Sequence, residues 1–456
     1  MSGIRLFIDF GSTFTKVVAI DVHREELLAR VQAPSTVATD ITVGLEEAFA
    51  LLSEEVPISR AEREQAVACS SAAGGLRVVC VGLVPEYTTE AGRRAALGAG
   101  AKIVGSHSFE LTEDELREVE EEAPDIVLLT GGTDGGNKKV ILHNARALAR
   151  SGPGVTNIIV AGNKTAYDDL REIFASSSKN VIFAKNVMPG IGDLAVDSAN
   201  QKIRELFISR ITEAKGMGQV RRSIGDIIMP TPAAVLEAAR LLADGTKDTP
   251  GRGELLLVDV GGATTDVYSM AKGLPTQGTV KFLGLPEPYA KRTVEGDLGL
   301  LHNVDTLTEI AKGERVPVGF EETVQAMCRT ESVPAGERQV ECHLLLSHVA
   351  VRAAVDRHVG SLKLMMTPHG EVVVQRGKDL TEVEWVVGAG GPVAFSSDPK
   401  RVLEGALFHD DAPTLLKPKG PRMLLDRHYV LFALGLLAQS EPGKALSLMN
   451  KYMVQV

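Results

Sequence analysis

The stretches Leu6-Phe-Ile-Asp9-Phe-Gly11-Ser-Thr-Phe-Thr-Lys16 and Leu256-Leu-Val-Asp259-Val-Gly261-Gly-Ala-Thr-Thr-Asp266 share one pattern, an apolar strand that ends in Asp-x-Gly and returns as a second strand. The aspartates, the glycines and a threonine four positions after each glycine keep a constant offset of 250 (259 − 9). A long constant offset between two strand–turn–strand units indicates an internal duplication. The chain is therefore predicted to contain two related domains.

The Asp-x-Gly turns have the composition of a phosphate-binding site. Gly11 and Gly261 allow a tight turn and carry no side chain, so backbone N–H groups can approach a phosphate. Asp9 and Asp259 repel phosphate but can hold Mg²⁺ through water, and we assign both to metal binding and catalysis. A single turn of this kind is common, whereas a matched pair predicts nucleotide binding. The other residues expected near the phosphates are Ser12, Thr13, Thr15, Lys16, Gly262, Ala263 and Thr264.

A glycine-rich loop follows a buried strand later in each half of the chain. Strand 383–387 enters Gly388-Ala-Gly390-Gly391, where bare backbone would let a nucleoside lie close. Residues 128–129 enter a glycine pair at 131–132 in a similar way, which we interpret as the same position in the first half. The chain lacks a complete G-x-G-x-x-G fingerprint and a G-x-x-x-x-G-K-[ST] loop, which excludes Rossmann and P-loop sites.

The order of strands and helices predicts an α/β protein with more than one domain. A length of 456 residues suits two or three folding units. We expect a first domain at 1–245 with an insertion at about 76–123, and a second domain at 254–456. The polar segment 246–253 would link them, and the second domain would carry an inserted, mainly helical subdomain at about 292–380.

The composition restricts the partners and the compartment. The chain has 59 Asp and Glu against 49 Lys and Arg, a net charge of −10, so binding to nucleic acid or to an anionic membrane is not expected. The late apolar run 429–438 is half of the ~20 residues that a membrane-spanning helix requires, and it predicts a buried helix. Four separated cysteines and the absence of an export signal favour the cytoplasm.

The whole chain resembles one known family. The Asp-x-Gly turns look like the two phosphate motifs of the actin/Hsp70/sugar-kinase superfamily, and the loop 388–391 looks like its adenosine motif. More closely, the chain is similar to the glutamate mutase accessory family called MutL or GlmL. The stretches that carry this resemblance are Ile8-Asp-Phe-Gly-Ser-Thr13, Cys69-Ser-Ser-Ala-Ala-Gly-Gly-Leu76, Val81-Gly-Leu-Val-Pro85, Leu129-Thr-Gly-Gly-Thr-Asp-Gly-Gly-Asn137, Leu257-Val-Asp-Val-Gly-Gly-Ala-Thr-Thr-Asp266, Arg292-Thr-Val-Glu-Gly-Asp-Leu-Gly299 and Gly388-Ala-Gly-Gly-Pro392.

The resemblance implies a fold, a cofactor and a partner. The fold would be two duplicated ribonuclease H-like domains, the actin-like ATPase fold, around ATP or ADP with Mg²⁺. Asp9 and Asp259 would lie on the metal side, the two turns would hold the phosphates, and 388–391 would hold adenosine. The family is associated with adenosylcobalamin-dependent mutases. The implied role is an ATP-driven chaperone or reactivating factor that acts on mutase subunits, as a monomer or an oligomer.

Three questions stay open at the level of sequence: the function within this fold, the hydrolytic base and the role of one glycine-rich loop. A small-molecule kinase or a filament-forming actin-like protein would share the same fold. No motif marks a hydrolytic base, and Asp193 and Asp197 are candidates only because they lie late in the first half. The loop 130–137 either closes the cleft, contacts a partner or is a structural turn.

Overall fold

A computed structural model describes residues 3–11, 13–36, 39–71, 76–213, 224–225, 227–301, 303–330, 334–368 and 370–456. Single helical turns lie at Pro85–Thr89, Lys164–Ala166 and Glu404–Ala406. The strands and longer helices, in chain order, are β1 (Ile4–Phe10), β2 (Phe14–Asp21), β3 (Glu26–Pro34), α1 (Ile41–Glu55), α2 (Arg60–Glu64), β4 (Val67–Ser70), β5 (Arg77–Gly82), α3 (Glu90–Gly98), β6 (Lys102–Ser108), α4 (Glu113–Glu121), β7 (Ile126–Leu129), α5 (Lys139–Arg150), β8 (Asn157–Val160), α6 (Tyr167–Ala175), β9 (Asn180–Phe183), α7 (Asp197–Glu213), β10 (Ile227–Pro230), α8 (Thr231–Asp244), β11 (Leu255–Val260), β12 (Thr265–Met270), β13 (Lys281–Phe282), β14 (Ala290–Glu295), α9 (Val304–Ala311), α10 (Phe320–Thr330), α11 (Glu337–His358), β15 (Ser361–Thr367), β16 (Gly370–Arg376), β17 (Trp385–Ala389), α12 (Gly391–Ala394), α13 (Pro399–Leu403), β18 (Arg422–Leu425), α14 (Leu431–Ala438), α15 (Pro442–Tyr452) and β19 (Val454–Gln455).

The first half of the chain forms a sheet with strand order β3-β2-β1-β4-β10. β1, β2 and β3 are an antiparallel meander, and β4 and β10 continue the sheet in the direction of β1. The β1–β2 hairpin is apolar and buried along most of its length because helices cover both faces of the sheet. Asp9 and Lys16 interrupt this apolar run at the turn end of the hairpin, where they lie opposite each other.

The second half repeats the order in the sheet β14-β12-β11-β17-β18-β19. β11 and β12 pair antiparallel with Asp259 opposite Asp266, and β17 and β18 run parallel to β11. Each hairpin closes with the same backbone hydrogen bond, which the N–H of Gly11 donates to the carbonyl of Phe14 at 3.0 Å and the N–H of Gly261 to that of Thr264 at 2.9 Å. The structure confirms two duplicated ribonuclease H-like domains.

A separate parallel sheet, β6-β5-β7-β8-β9, interrupts the first domain between β4 and β10. α3 and α7 cover one face, and α4, α5 and α6 cover the other. We call this segment, 76–213, the insert. Its sheet extends to Phe183, beyond the insertion of about 76–123 that the sequence predicts. The interpretation of 128–129 as the counterpart of strand 383–387 is wrong, because β7 lies in the insert and β4 occupies the position next to β1 that β17 occupies next to β11.

The inserted subdomain of the second half is mainly helical, as predicted. α9, α10 and α11 pack together against one face of the second sheet. The segment also contains the hairpin β15–β16, which pairs with β13 and was not foreseen.

Two helices pack between the duplicated sheets. α8 and α14 share one apolar core with residues of both sheets. α14 confirms the buried helix expected at 429–438. Among the described residues, none of the helices has the length and apolarity needed to cross a membrane.

Candidate functional site

The two Asp-x-Gly turns face each other across the boundary between the domains. A Cβ atom built on Gly262 would lie 3.8 Å from Oγ1 of Thr13. Lys16 of the first domain donates a hydrogen bond to the hydroxyl of Tyr429 of the second, at 3.3 Å. The carboxyl ends of the central strands of both sheets therefore meet at one cleft, the position at which open α/β sheets bind ligands.

The first turn is bare and held in place. The hydroxyl of Ser35 donates to the carbonyl of Gly11 at 2.7 Å, and its backbone N–H donates to that of Thr13 at 2.9 Å. A side chain at Gly11 would meet the carbonyl oxygen of Phe14 at 2.7 Å and would approach Nζ of Lys16 to 3.6 Å. Glycine is thus required at this position, and it leaves the space above the Lys16 ammonium open.

Asp9 and Lys16 form a buried ion pair at the base of the first turn. Nζ of Lys16 lies 2.7 Å from Oδ2 of Asp9, and the hydroxyl of Thr231 donates to Oδ1 at 2.6 Å. Burial alone would lower the pKa of Lys16, but Asp9 and Tyr429 outweigh it and hold that pKa above its ordinary value. Lys16 is therefore charged throughout the physiological pH range. The sequence alone does not predict which face of the sheet its side chain occupies, and the structure directs it to Asp9 and Tyr429.

Hydrogen bonds from Leu300, Leu301 and Asn303 hold the second turn. The backbone N–H of Leu300 donates to the carbonyl of Gly261 at 3.1 Å, and that of Leu301 to the carbonyl of Gly262 at 2.8 Å. The side-chain amide of Asn303 donates to the carbonyl of Ala263 at 3.2 Å. With the carbonyls occupied from one side, the backbone of the turn keeps a fixed shape. A fixed shape lowers the entropy cost of binding an anion against it.

Asp266 occupies the position that Lys16 has in the first domain. Arg292 neutralises it, with Nε at 2.8 Å and Nη2 at 2.6 Å from Oδ1. The hydroxyl of Thr264 donates to Oδ2 at 3.0 Å. The duplicated hairpins thus differ electrostatically, because the position of Lys16 in the first hairpin is taken in the second by a carboxylate that Arg292 neutralises.

Asp259 lies partly buried at the base of the second turn. Within the described part of the chain, its carboxylate has no hydrogen-bond partner. Burial, followed by the neighbouring Asp266, raises the pKa of Asp259 to about 7. A carboxylate in this setting is stabilised in its charged form by a cation.

The loop after β17 contributes backbone rather than side chains. Gly390 has φ +87°, and a Cβ atom there would overlap the carbonyl oxygen of Val260 and lie 2.6 Å from Oδ1 of Asp259. Gly391 begins α12, and a Cβ atom there would meet the Phe395 ring only at 4.0 Å, an ordinary contact distance. Gly388 differs, because its missing side chain makes room for Val393 of the same domain. Gly390 and Gly391 therefore border the cleft, while Gly388 serves packing.

Some predicted residues lie elsewhere. Ser12 is outside the described residues. Thr15 points to the opposite face of its sheet, where its Oγ1 would be 3.4 Å from a Cβ on Gly44 of α1. Asp193 is exposed on the insert, where its N–H bonds the carbonyl of Gly190 at 3.1 Å, and Asp197 starts α7. The described contacts bring neither aspartate to the two turns.

The glycine loop 130–137 also belongs to the insert. Asn163, which is fully buried, accepts from the N–H of Gly135 at 3.1 Å and donates to the carbonyls of Gly136 and Asn137 at 3.1 and 3.3 Å. Among the described residues, the hydrogen bonds of this loop stay within the insert. These contacts support the structural-turn alternative over closure of the cleft.

Four residues of the cleft were not found from the sequence. Thr231 begins α8 directly after β10. Asp426 and Tyr429 lie between β18 and α14, at the corresponding place in the second sheet. Tyr429 has φ +53°, an uncommon value for a bulky residue and a common mark of functional sites. The fourth residue is Arg30 on β3, whose guanidinium carbon lies 5.5 Å from the centre of the Tyr429 ring. Only a known strand order would have pointed to these positions.

Magnesium fits this site through Asp259. In the described part of the chain no three His, Cys, Asp or Glu side chains are arranged to hold a metal ion by themselves. Mg²⁺ needs no such cluster, because it is commonly held by one or two carboxylates, water and substrate phosphates. Asp259 has free oxygens, whereas both oxygens of Asp9 accept hydrogen bonds from Lys16 and Thr231. The donor set favours Asp259 as the direct ligand.

Two ribonuclease H-like domains that face each other through paired Asp-x-Gly turns define the actin-like ATPase fold. The sequence profile of the family described as MutL protein matches residues 5–453. The chain is 43% identical to Protein MutL of Clostridium tetanomorphum over 459 residues, which cover 99% of each chain. It therefore belongs to the MutL protein family.

Solved structures with low overall similarity were also found. Nucleotide-free acetone carboxylase shares 14% identity, with 96% of this chain and 70% of that chain covered and a TM-score of 0.40. The ethanolamine utilization protein EutJ of Carboxydothermus hydrogenoformans shares 11%, with 97% and 89% covered and a TM-score of 0.31. Xylulose kinase of Bifidobacterium adolescentis shares 11%, with 98% and 93% covered and a TM-score of 0.31. The strand order that the two sheets share defines the fold.

Proposed function

We propose that this protein binds Mg-ATP between its two Asp-x-Gly turns and hydrolyses it as an accessory or reactivating factor for an adenosylcobalamin-dependent mutase such as glutamate mutase. One observation supports the nucleotide part of this proposal: two bare turns face each other, with the Lys16 cation below one and Asp259, which has no hydrogen-bond partner among the described residues, below the other. Membership of the MutL family supports the mutase part.

Each residue of the cleft has a role in this proposal. Lys16 and the backbone N–H groups of the two turns bind the phosphates, and Asp9 with Thr231 keeps the Lys16 ammonium in place. Asp259 would hold Mg²⁺, which when bound would supply positive charge to offset that of the phosphates. Gly390 and Gly391 let the nucleoside approach the backbone. The group that positions the attacking water stays unassigned.

The two-domain architecture suits work on a partner protein. Nucleotide contacts from both turns favour a closed cleft, and loss of the outer phosphate removes part of those contacts. Closure and reopening would change surfaces on both domains that a mutase can sense. This use of ATP needs no acceptor pocket for a small metabolite.

Calorimetry with Mg-ATP and Mg-ADP tests the nucleotide part. The wild-type protein is expected to bind both, and Lys16→Met to abolish binding by removing the cation under the first turn. The variant leaves Asp9 buried without its partner, at a cost of about 3–5 kcal/mol in stability. The double variant Asp9→Asn with Lys16→Met restores electrical neutrality and serves as the folded control. Folded wild-type protein that binds neither nucleotide would refute the proposal.

Two assays separate the reactivating factor from the alternatives. ATP turnover without added acceptor should release phosphate and ADP in equal amounts, whereas a kinase would require a small molecule. Mutase subunits loaded with damaged cobalamin should be retained by the immobilised protein in one nucleotide state and released in the other. Retention that is absent with ATP, with ADP and without nucleotide would refute the mutase assignment but not ATP binding.

A further inference from the structure

Arg30 is a cation of the first domain that reaches into the second. Arg30 lies on β3 directly opposite Val18 of β2, and Val18 is two residues after Lys16 on the same strand. Because side chains two residues apart on a strand share a face, Arg30 and Lys16 lie on the same face of the sheet. Its guanidinium carbon lies 5.5 Å from the centre of the Tyr429 ring and 5.6 Å from that of Phe395. Arg30 therefore spans the same domain boundary as the two turns.

The guanidinium group is incompletely paired. Nη2 donates to the side-chain oxygen of Gln32 at 2.7 Å. Nε is buried and has no hydrogen-bond partner among the described residues, and none of the described carboxylates lies within ion-pair distance of Arg30. A buried donor of a charged group that lacks a partner is costly. Binding of an anion removes that cost.

The surroundings indicate which anion would bind. Lys16 lies 4.5 Å above the same Tyr429 ring, so two cations converge on one aromatic side chain at the base of the first turn. Phe395 directly follows α12, the helix that Gly390 and Gly391 begin, and the residue is 59% exposed. Asp426 faces this region as well, but its oxygens accept the N–H groups of Val430 and Leu431 at 3.0 and 2.9 Å. Arg30 thus lies between the predicted phosphate and nucleoside contacts.

We propose that Arg30 is a nucleotide-binding residue, whose guanidinium contacts a phosphate of the bound nucleotide from the side of the cleft that faces Tyr429 and Phe395. This inference rests on the proposed function. The forked geometry of arginine matches phosphate oxygens better than the single ammonium of lysine does. Lys16 and Arg30 together then supply two positive charges from one face of the first sheet.

The test compares the full-length protein with Arg30→Met by calorimetry against Mg-ATP, Mg-ADP and adenosine. Methionine keeps an apolar stem between the two rings and removes only the charge and the donors. Loss of a hydrogen bond to a charged group corresponds to roughly tenfold to a hundredfold in affinity. We expect that loss for ATP and ADP and an unchanged affinity for adenosine. The affinity for adenosine can also be measured by its displacement of a fluorescent ATP.

The matched control is Arg24→Met, which removes an exposed arginine from the loop that joins β2 and β3. It is expected to bind all three ligands as the wild type does. Arg30→Lys keeps the charge without the fork and should recover part of the ATP affinity. It also carries the test if the methionine variant unfolds, because a lysine that binds ATP as tightly as arginine would overturn the inference.

Two other outcomes would overturn it. Arg30→Met that binds ATP within about twofold of the wild type would show that no phosphate contact exists. An equal loss for ATP and adenosine would show that Arg30 shapes the cleft and does not contact phosphate. Wild-type protein that binds no nucleotide would instead refute the proposed function itself, so the two failures are distinguishable.

Discussion

At the residue scale, Asp259 combines a cost in stability with a chemical use. Its carboxylate is partly buried beside Asp266 and lacks a hydrogen-bond partner among the described residues, so the charged form is disfavoured without a bound cation. Sites that bind ligands commonly retain such locally unfavourable groups, and removing them stabilises the protein while reducing activity. The same reasoning does not apply to Asp9, whose charge is compensated by Lys16.

We predict that Asp259→Asn raises stability near neutral pH and abolishes Mg²⁺-dependent ATP binding. The pKa of Asp259 is raised from 3.8 to about 7 in the folded protein. Between these values the unfolded chain releases a proton that the folded protein retains, so wild-type stability falls as pH rises through this window. Urea denaturation without Mg²⁺ measures this effect. The free energy of unfolding should fall less between about pH 5 and about pH 8 in the variant than in the wild type.

The exposed residue Asp248 provides the control for this prediction. Asp248→Asn removes the same charge from the link between the domains and should leave both stability and Mg-ATP binding unchanged. An Asp259→Asn variant that binds ATP with the magnesium dependence of the wild type would contradict the role given to this carboxylate.

At the element scale, the site depends on two helices that begin inside it. α8 starts at Thr231, which holds Asp9, and α14 starts just after Tyr429, which contacts Lys16. The two helices pack against each other in the core shared by both domains. A side chain at Gly435 of α14 would overlap the carbonyl oxygen of Ala234 of α8, so their close approach requires glycine. The spacing of these helices therefore sets the spacing of cleft residues from both domains.

We predict that Gly435→Ala destabilises the protein by about 1–3 kcal/mol, the usual cost of an extra methyl group in a packed core. Because the helices must separate, ATP affinity should fall as well. Gly443→Ala on the neighbouring helix α15 is the control, since among the described residues no atom outside the local helix backbone lies within 4 Å of the added methyl group. Urea denaturation and calorimetry would measure both effects. Equal stability of the two variants would contradict this account of the helix contact.

The elements also show where the sequence was informative. The hairpins with Asp9 and Asp259 were predictable, because strand, turn and return strand are local and repeat at one offset. The places of Thr231 and Tyr429 were not predictable, since these residues reach Asp9 and Lys16 only because strands far apart in the sequence lie in neighbouring positions. The strand at 128–129 was assigned to the wrong sheet, because a buried strand before glycines looks alike in any parallel sheet.

At the scale of the whole molecule, the insert connects the two domains. Its chain leaves and rejoins the first domain between β4 and β10, yet α3 packs against β14 of the second. Arg292 on β14 donates to the carbonyls of Leu97 and Ala101 at 3.2 and 3.0 Å, at the end of α3. The same side chain pairs with Asp266, which accepts from Thr264 of the second turn. A continuous set of contacts thus joins that turn to the insert.

We predict that ATP slows amide hydrogen exchange in α3 of the wild-type protein and does not do so in Arg292→Lys. Lysine keeps the charge beside Asp266, but its single ammonium cannot reach both that carboxylate and the two carbonyls at once. Arg94→Met is the matched control, because Arg94 on α3 also contacts the second domain, through Glu287 at 3.3 Å, and none of its contacts with described residues involves the hairpin of the second turn. Exchange measured with and without Mg-ATP should therefore stay nucleotide-dependent in Arg94→Met. A nucleotide effect on α3 that persists in Arg292→Lys would show that the insert senses ATP by another route or through closure of the first domain alone.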